Sequence, residues 1–265
     1  MSAVLGRRDD RPAPLRLVGQ TWVLARRSLS HIRADPAQIA GVAIQPVVML
    51  VLFVYVLGGA ISGSVDAYLQ FALPGQLVLA SALTAVHAGH GLSAELRRGT
   101  GERLRALPVS PVAVIGGRVV AATFRMIVAG LVVLVVGALL GFELANGVTG
   151  AAGGLLLAAA FGFALCWPMA YIASRAATPE LATAWGFLIV FPLLFLSSIF
   201  APTDSMPAGL GALVELSPVT NVVDSVRALM AGGAAQADLV PAVAWTVAVT
   251  LFFGVLAASA YRRRI

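Results

Sequence analysis

Lysine is absent from all 265 residues; the 18 basic side chains are every one an arginine. A Walker A phosphate loop needs its lysine at the β/γ-phosphates. The chain therefore carries no such loop, and any ATP that drives it must be bound by another chain. Charge of both signs is scarce, at 11% of residues, while 59% are apolar and the mean hydropathy is +0.92. Soluble domains carry about a quarter charged residues, so this is a membrane protein with most of its length in lipid. There is one cysteine, Cys166, in an apolar run without a CxxC or CxxH partner. It reads as a core thiol and implies neither a disulfide nor a metal site. A net charge of +6 raises the question of nucleic acid. The arginines, however, stand at the ends of apolar runs, as the positive-inside rule expects, and form no basic stripe. Nucleic acid is excluded as a partner.

What is present is a succession of apolar segments. Residues 1–14 are polar and proline-bearing, an expected disordered cytosolic tail. Leu15, Val18, Trp22, Ala25, Leu29 and Ile32 then recur on one helical face, as in an interfacial helix over 15–34 that lies along an anionic leaflet. A solvated helix packed on a partner is the alternative. Asp35-Pro36-Ala37-Gln38 reads as a helix start. The first apolar run begins near Pro36, later than a cleaved signal peptide would place it. Runs of roughly 20 apolar residues cross a bilayer. They place six spans at about 37–57, 68–93, 111–141, 150–173, 180–200 and 239–261. Pro46 is expected to kink the first, and residues 58–67 to form a short outer loop. Ser110-Pro111 and Thr178-Pro179 start the third and fifth. Between the last two spans, 203–233 reads as a helical hairpin, with Ser217-Pro218 opening a helix and Gly232-Gly233 closing one. The fold class is thus an all-α integral membrane protein of six transmembrane helices.

The charges orient it. Seven arginines precede the first span. Arg97, Arg98, Arg103, Arg105 and Arg118 lie in or near the second-to-third connection, Arg175 follows the fourth span, and Arg262, Arg263 and Arg264 follow the sixth. The opposite connections hold only Arg227 among six acids. Both termini are expected in the cytosol.

Most of the charge in the chain's middle is gathered in one island, Glu95 to Ala121. Glu95, Arg97, Arg98, Glu102, Arg103 and Arg105 supply polar handles, and Leu96, Leu104 and Leu107 an apolar anchor. Gly99 and Gly101 let the chain turn away from the second span, and Pro108 and Pro111 set its path into the third. Such a segment on the positive side is a surface for something soluble to grip. Elsewhere, Arg118 and Arg125 are seven apart on one helix face. Arg118 is expected to snorkel to the inner interface. Arg125 lies deeper, where a charge is costly, with Glu95, Glu180 or a phospholipid headgroup as possible partners. His87 and His90 share a face without a third ligand, so a packed or proton-sensitive pair is favoured over a metal or haem site. Asp224 and Arg227 are spaced to pair on one helix. Gly137 and Gly141 form a GxxxG pattern that marks close helix packing. The fifth span carries Trp185, Phe191, Phe195 and Ser198, suited to lining an apolar path or, equally, to packing in lipid.

The stretch ELRRGTGERLRALPVS resembles the connection between spans two and three of type-2 ATP-binding cassette (ABC) export permeases, of the daunorubicin-resistance type. Pro74-Gly75, Gly117-Arg118, Gly141-Phe142, FPLLFLSSIFAPTDSMP and SPVTNVVDSVRALMAGG are similar to that family in order and spacing. The resemblance implies two permease chains, identical or related, beside two copies of a cytosolic ABC ATPase. ATP and Mg would sit on the ATPase, with no cofactor in this chain. It implies a coupling helix at 95–108, with Glu95, Arg97, Arg98, Gly99, Thr100, Glu102, Arg103, Leu104, Leu107 and Pro108 as the residues gripped. An apolar residue is expected where Gly101 stands. It implies a path lined by spans two and five, here Trp185, Phe191, Phe195 and Ser198. Arg118, Arg125, Asp224 and Arg227 are then candidates for gating or structural charges, with Arg125 holding the inward-facing state. The implied activity is export of a hydrophobic or amphipathic compound, such as an antibiotic, across a bacterial cytoplasmic membrane, with a lipid or glycolipid as alternative cargo. The chain itself is expected to catalyse no reaction. A membrane enzyme would need clustered acids or histidines, and a secondary transporter several buried charges; neither pattern is present.

Overall fold

A computed structural model describes residues 36–97, 111–232 and 236–264; the side chains at 36–42, 111–112, 205, 208, 236–238 and 262–264 are not described. The expected tail at 1–14, the interfacial helix at 15–34 and residues 98–110 of the coupling segment lie outside them. The helices are α1 (Pro36–Ser62), α2 (Val65–Arg97), α3 (Pro111–Leu139), α4 (Gly147–Arg175) and α5 (Pro179–Phe195). A 3-10 turn (Thr203–Ser205) leads to α6 (Ala208–Glu215), α7 (Pro218–Ala231) and α8 (Gln236–Arg264). No strand occurs among the described residues. Among the described residues, five helices are long and apolar enough to cross a membrane. The sixth apolar helix, α5, has 17 residues, or about 26 Å of helix against a hydrocarbon core of about 30 Å.

Local chemistry explains the helix ends. Pro179 opens α5 at its first position, and Thr178 caps it by accepting the Leu181 N–H at 3.2 Å. Pro218 likewise opens α7. Gly232, at φ +78°, closes α7 in the left-handed conformation that glycine adopts without penalty. Two boundaries differ from the hydropathy reading. The outer loop expected at 58–67 shrinks to Gly63 and Ser64. Gly58 and Gly59 stay helical, and a Cβ on Gly58 would stand 3.1 Å from the Val65 Cα. Gly63 makes the turn at φ +74°, and the Ser64 hydroxyl accepts the Ala67 N–H. At its far end α5 stops at Phe195, not Phe200. The Ser197 hydroxyl donates to the Leu194 carbonyl, and the Ser198 N–H donates to the Thr220 hydroxyl at 3.3 Å. Serine side chains that compete for backbone groups in this way end helices. The helix α1 continues through Pro46 as one element.

At the centre stands α2, packed against α1, α3, α4, α5 and α7. Its long buried face runs from Tyr68 to Ser93. Lipid tails are as apolar as leucine, so burying apolar surface does not drive helices together in a membrane; close packing through small residues does. The sequence supplies them. A Cβ on Gly89 of α2 would lie 3.1 Å from the Met169 Cβ of α4, and one on Gly162 of α4 would lie 2.8 Å from the Ser81 Cβ of α2. The two members of the GxxxG pattern part company: Gly137 faces the Leu73 side chain, while Gly141, at φ +102°, forms the turn after α3. Polar ties fix the register. Gln76 donates to the Pro46 carbonyl at 2.9 Å in the buried interior, and buried Tyr68 donates to the Phe200 carbonyl at 3.0 Å. Asn146 ties the start of α4 to α7 through the Leu229 and Met230 carbonyls.

Pro74-Gly75 now has a physical reason. A Cβ on Gly75 would sit 2.9 Å from the Ile199 carbonyl oxygen and 3.3 Å from its Cα. Both are backbone atoms and have nowhere to go. Gly75→Val should cost about 1–3 kcal/mol through overpacking and lower the melting temperature of the detergent-purified chain. Gly59→Ala, where a Cβ meets nothing within 4 Å, should leave it unchanged.

Candidate functional site

Polar chemistry concentrates at the two ends of α2. At the C-terminal end, Glu95 lies in its last turn and Arg97 is its last residue. Arg118, in the second turn of α3, donates from Nε to Glu95 Oε2 at 2.8 Å, and its Nη2 pairs with the other carboxylate oxygen. This is the two-pronged geometry that favours arginine over lysine. A Cβ on Gly91 would come within 3.2 Å of Arg118 Nη1, so glycine there leaves room for the crossing. Arg118 was expected to snorkel; instead an acid one helix away holds it. The pair joins the two residues that bracket segment 98–110. Of the coupling residues read from sequence, Arg98, Gly99, Thr100, Glu102, Arg103, Leu104, Leu107 and Pro108 lie outside the described residues.

Nearby, the His90 Nδ1 lies 2.9 Å from the Thr183 hydroxyl, which donates its own proton to the Pro179 carbonyl. Nδ1 must therefore carry the proton of this bond. His87 instead meets the Phe187 ring edge-on at 6.3 Å. The two histidines thus engage different side chains of α5. Arg125 is half-buried at the middle of α3. Glu95, one of its expected partners, is taken by Arg118, and Glu180 is exposed on the first turn of α5.

At the N-terminal end of α2, the sequence-paired Asp224 and Arg227 do meet, with Nη1 and Oδ1 2.5 Å apart. They belong to a larger knot. The Ser198 hydroxyl donates to the same Asp224 oxygen at 2.8 Å. Arg227 Nη2 donates to the Ser198 carbonyl at 3.1 Å and, with Nε, to the Phe71 carbonyl at 3.4 Å. The guanidinium also lies 4.0 Å over the Phe71 ring, a favourable cation–π placement. Burial lowers the Arg227 pKa from its ordinary value, and the Asp224 carboxylate opposes the shift. The knot thereby ties α7 to α2 and to the chain just past α5. Ser198, read as lining a path, is 3% exposed and serves as a post of this knot. Spacing revealed the Asp224–Arg227 pair, but Phe71 and Ser198 are 156 and 29 residues from Arg227, and only the Pro74-Gly75 pair hinted that α2 is approached there.

The other path candidates behave differently. Trp185, Phe191 and Phe195 are 53%, 43% and 63% exposed, turned away from the subunit's own core. Phe187, Phe191, Phe195 and Phe200 stack in a ladder with centroids 5.0 to 6.0 Å apart, and Phe53 of α1 closes it edge-on at 5.3 Å.

Removing one member of the outer knot leaves the rest without their partner. Asp224→Asn should cost about 1–3 kcal/mol, nearer the lower figure because the Asp224 side chain is 37% exposed. The double variant Asp224→Asn/Arg227→Met should recover part of that loss in thermal unfolding. Additive losses would mean that the pair contributes nothing as a pair.

Comparison with known proteins agrees with this architecture. Residues 19–231 match the family model of the ABC-2 type transporter. The daunorubicin resistance ABC transporter permease protein DrrB1 of Streptomyces coeruleorubidus is 30% identical over 255 residues, covering 96% of this chain and 90% of that one. A Mycobacterium tuberculosis protein named a probable doxorubicin resistance ABC transporter permease, DrrC, is 25% identical over 248 residues, covering 93% of this chain and 89% of its own length. The family match takes in the charged island, the Pro74-Gly75 approach and the outer knot alike, and this chain belongs to the ABC-2 type transporter family, as a multi-pass membrane permease.

Proposed function

We propose that this chain is the membrane-spanning subunit of an ATP-driven exporter that moves a hydrophobic or amphipathic, drug-like compound out across a bacterial cytoplasmic membrane. The family match over residues 19–231 carries the reading, because it spans the whole 95–108 segment and α1 to α7. The names of both relatives, as permeases for anthracycline resistance, favour a drug-like cargo over a lipid or glycolipid. Two copies of the permease, or this chain and a related one, work beside two copies of an ABC ATPase. ATP and Mg bind to that ATPase; this chain lacks the lysine that a phosphate loop would need.

Segment 95–108 is the coupling helix, seated against the ATPase. Its flanks enter α2 and α3, which the Glu95–Arg118 pair joins. Closure of the ATPase dimer would therefore move the cytosolic ends of α2 and α3 together. The outer knot holds the far end of α2 to α7, and its release would accompany the outward-facing state. Exposed Trp185, Phe191 and Phe195 face the cargo path between the permease copies. The ladder of rings suits a planar or apolar compound, because stacked aromatic contacts are sequence-blind but shape-selective.

ATP hydrolysis by the permease with its cognate ABC ATPase in proteoliposomes tests this directly. A panel of hydrophobic drugs and lipids should contain compounds that stimulate hydrolysis. Glu102→Ala and Arg103→Ala should abolish the stimulation while the complex still copurifies. Stimulation by lipids alone would shift the cargo class. A permease that captures no ATPase would overturn the assignment.

A further inference from the structure

Arg125 stands at the midpoint of α3, with fourteen helical residues on either side. It stands two turns, about 10 Å of helix, further along α3 than Arg118, so it lies inside the spanning segment. A guanidinium stays charged at any accessible pH. In hydrocarbon such a charge is costly and needs an anion, a hydrogen-bonding cage or water. The neighbours whose electrostatics it perturbs are His87 of α2, Arg118 one turn-pair below, and the Cys166 thiol of α4. None of them is an acid. Among the described residues Arg125 forms no ion pair, and the acid closest in register, Glu95, has both oxygens engaged by Arg118.

The sequence closes the remaining routes. All twelve acids of the chain stand outside the stretches 36–65, 67–94, 103–142, 144–179, 181–203 and 239–265. Those stretches contain the interior of every spanning helix. Among the described residues no carboxylate stands inside a spanning helix at the level of Arg125, and a second copy would bring the same residues. Yet Arg125 is not sealed away. Its side chain is half-buried, and the neighbouring stripe of Phe124, Leu131 and Val135 on α3 is 41%, 49% and 60% exposed. A molecule with an acidic head and an apolar body could lay its body along that stripe and its head at Arg125.

We propose that Arg125 is a binding site for the acidic group, phosphate or carboxylate, of an amphipathic molecule. The group belongs to a phospholipid of the surrounding membrane or to the cargo itself. The cargo arm rests on the exporter reading given above; the lipid arm does not. Arg125 supplies a two-pronged donor matched to either oxyanion. Arg118 is already spent on Glu95 and is no competitor.

Native mass spectrometry of the full-length, delipidated chain tests this without the ATPase, so failure here leaves the exporter assignment standing. The probes are dioleoyl phosphatidylglycerol, dodecyl phosphate and, as the uncharged reference, zwitterionic dioleoyl phosphatidylcholine. Wild type should bind at least one anionic probe about tenfold more tightly than the zwitterion, a difference of about 1.4 kcal/mol. Arg125→Gln and Arg125→Met should lose that preference. Both remove a charge from the bilayer interior, which lowers the cost of insertion, and retention of the wild-type melting temperature verifies that they fold. Selective binding of phosphatidylglycerol assigns the site to lipid; selective binding of dodecyl phosphate assigns it to cargo. An unchanged anion preference in both neutral variants, or no preference in the wild type, overturns the proposal.

Discussion

The close approach of α2 to α4 is the constraint on which the rest of the structure hangs. In water, apolar burial would press such helices together; in lipid it cannot, and the packing depends on how near the backbones come. Gly89 and Gly162 allow that nearness from opposite sides of the contact, against Met169 and Ser81. With α4 fixed against one side of α2, α1, α3 and α5 pack around the others, and α7 folds back over the outer end. Gly75 repeats the device there, admitting the Ile199 backbone. The glycine richness of the chain is thus in part the means by which α2 becomes a common axis.

Polar groups are then placed where they fasten that axis. Glu95 and Arg118 tie its C-terminal end to α3, and Arg227 with Asp224 and Ser198 ties its N-terminal end to α7 and the chain past α5. Between the two, the polar side chains of α2 are satisfied locally, Gln76 by the Pro46 carbonyl, Thr84 by the Ala80 carbonyl and His90 by the Thr183 hydroxyl, while Arg125 on α3 forms no ion pair among the described residues. A helix fastened at both ends can transmit a push along its length as a rigid element. That is the mechanical property an exporter needs if energy enters at one face and a gate opens at the other. The asymmetry also explains why the cargo-facing candidates sit on α5: its outward face bears Trp185, Phe191 and Phe195, while its inward face, at Ala182, Gly186, Val190 and Leu194, is buried.

Much of this was legible in the sequence, and the reasons differ element by element. The all-helical membrane class followed from apolar runs bounded by arginine, since the bilayer forces every backbone polar group into helical bonds. Pro179, Pro218 and Gly232 signalled helix ends because their backbone chemistry is local. The early end of α5 was hidden, because it depends on Ser197 bonding backward and on Thr220, 22 residues onward, bonding to the Ser198 N–H. Arg118 and Arg125 looked alike in spacing. What separates them is position along α3: the first reaches the Glu95 carboxylate across a helix interface, and the second forms no ion pair among the described residues. Phe71 joins the outer knot through its carbonyl and ring face, features that no motif encodes.

The central claim is that the charged island between α2 and α3 faces the cytosol and is gripped there by an ATPase. Thr100→Cys in a Cys166→Ser background places the chain's single thiol in that island. The measurement is its labelling by a membrane-impermeant maleimide in right-side-out and inside-out vesicles, followed by thiol cross-linking with the cognate ATPase present. The account predicts labelling only in inside-out vesicles, protection when the ATPase is bound, and a cross-link to it. Labelling from the outer face, or cytosolic labelling that the ATPase neither blocks nor captures, would contradict it.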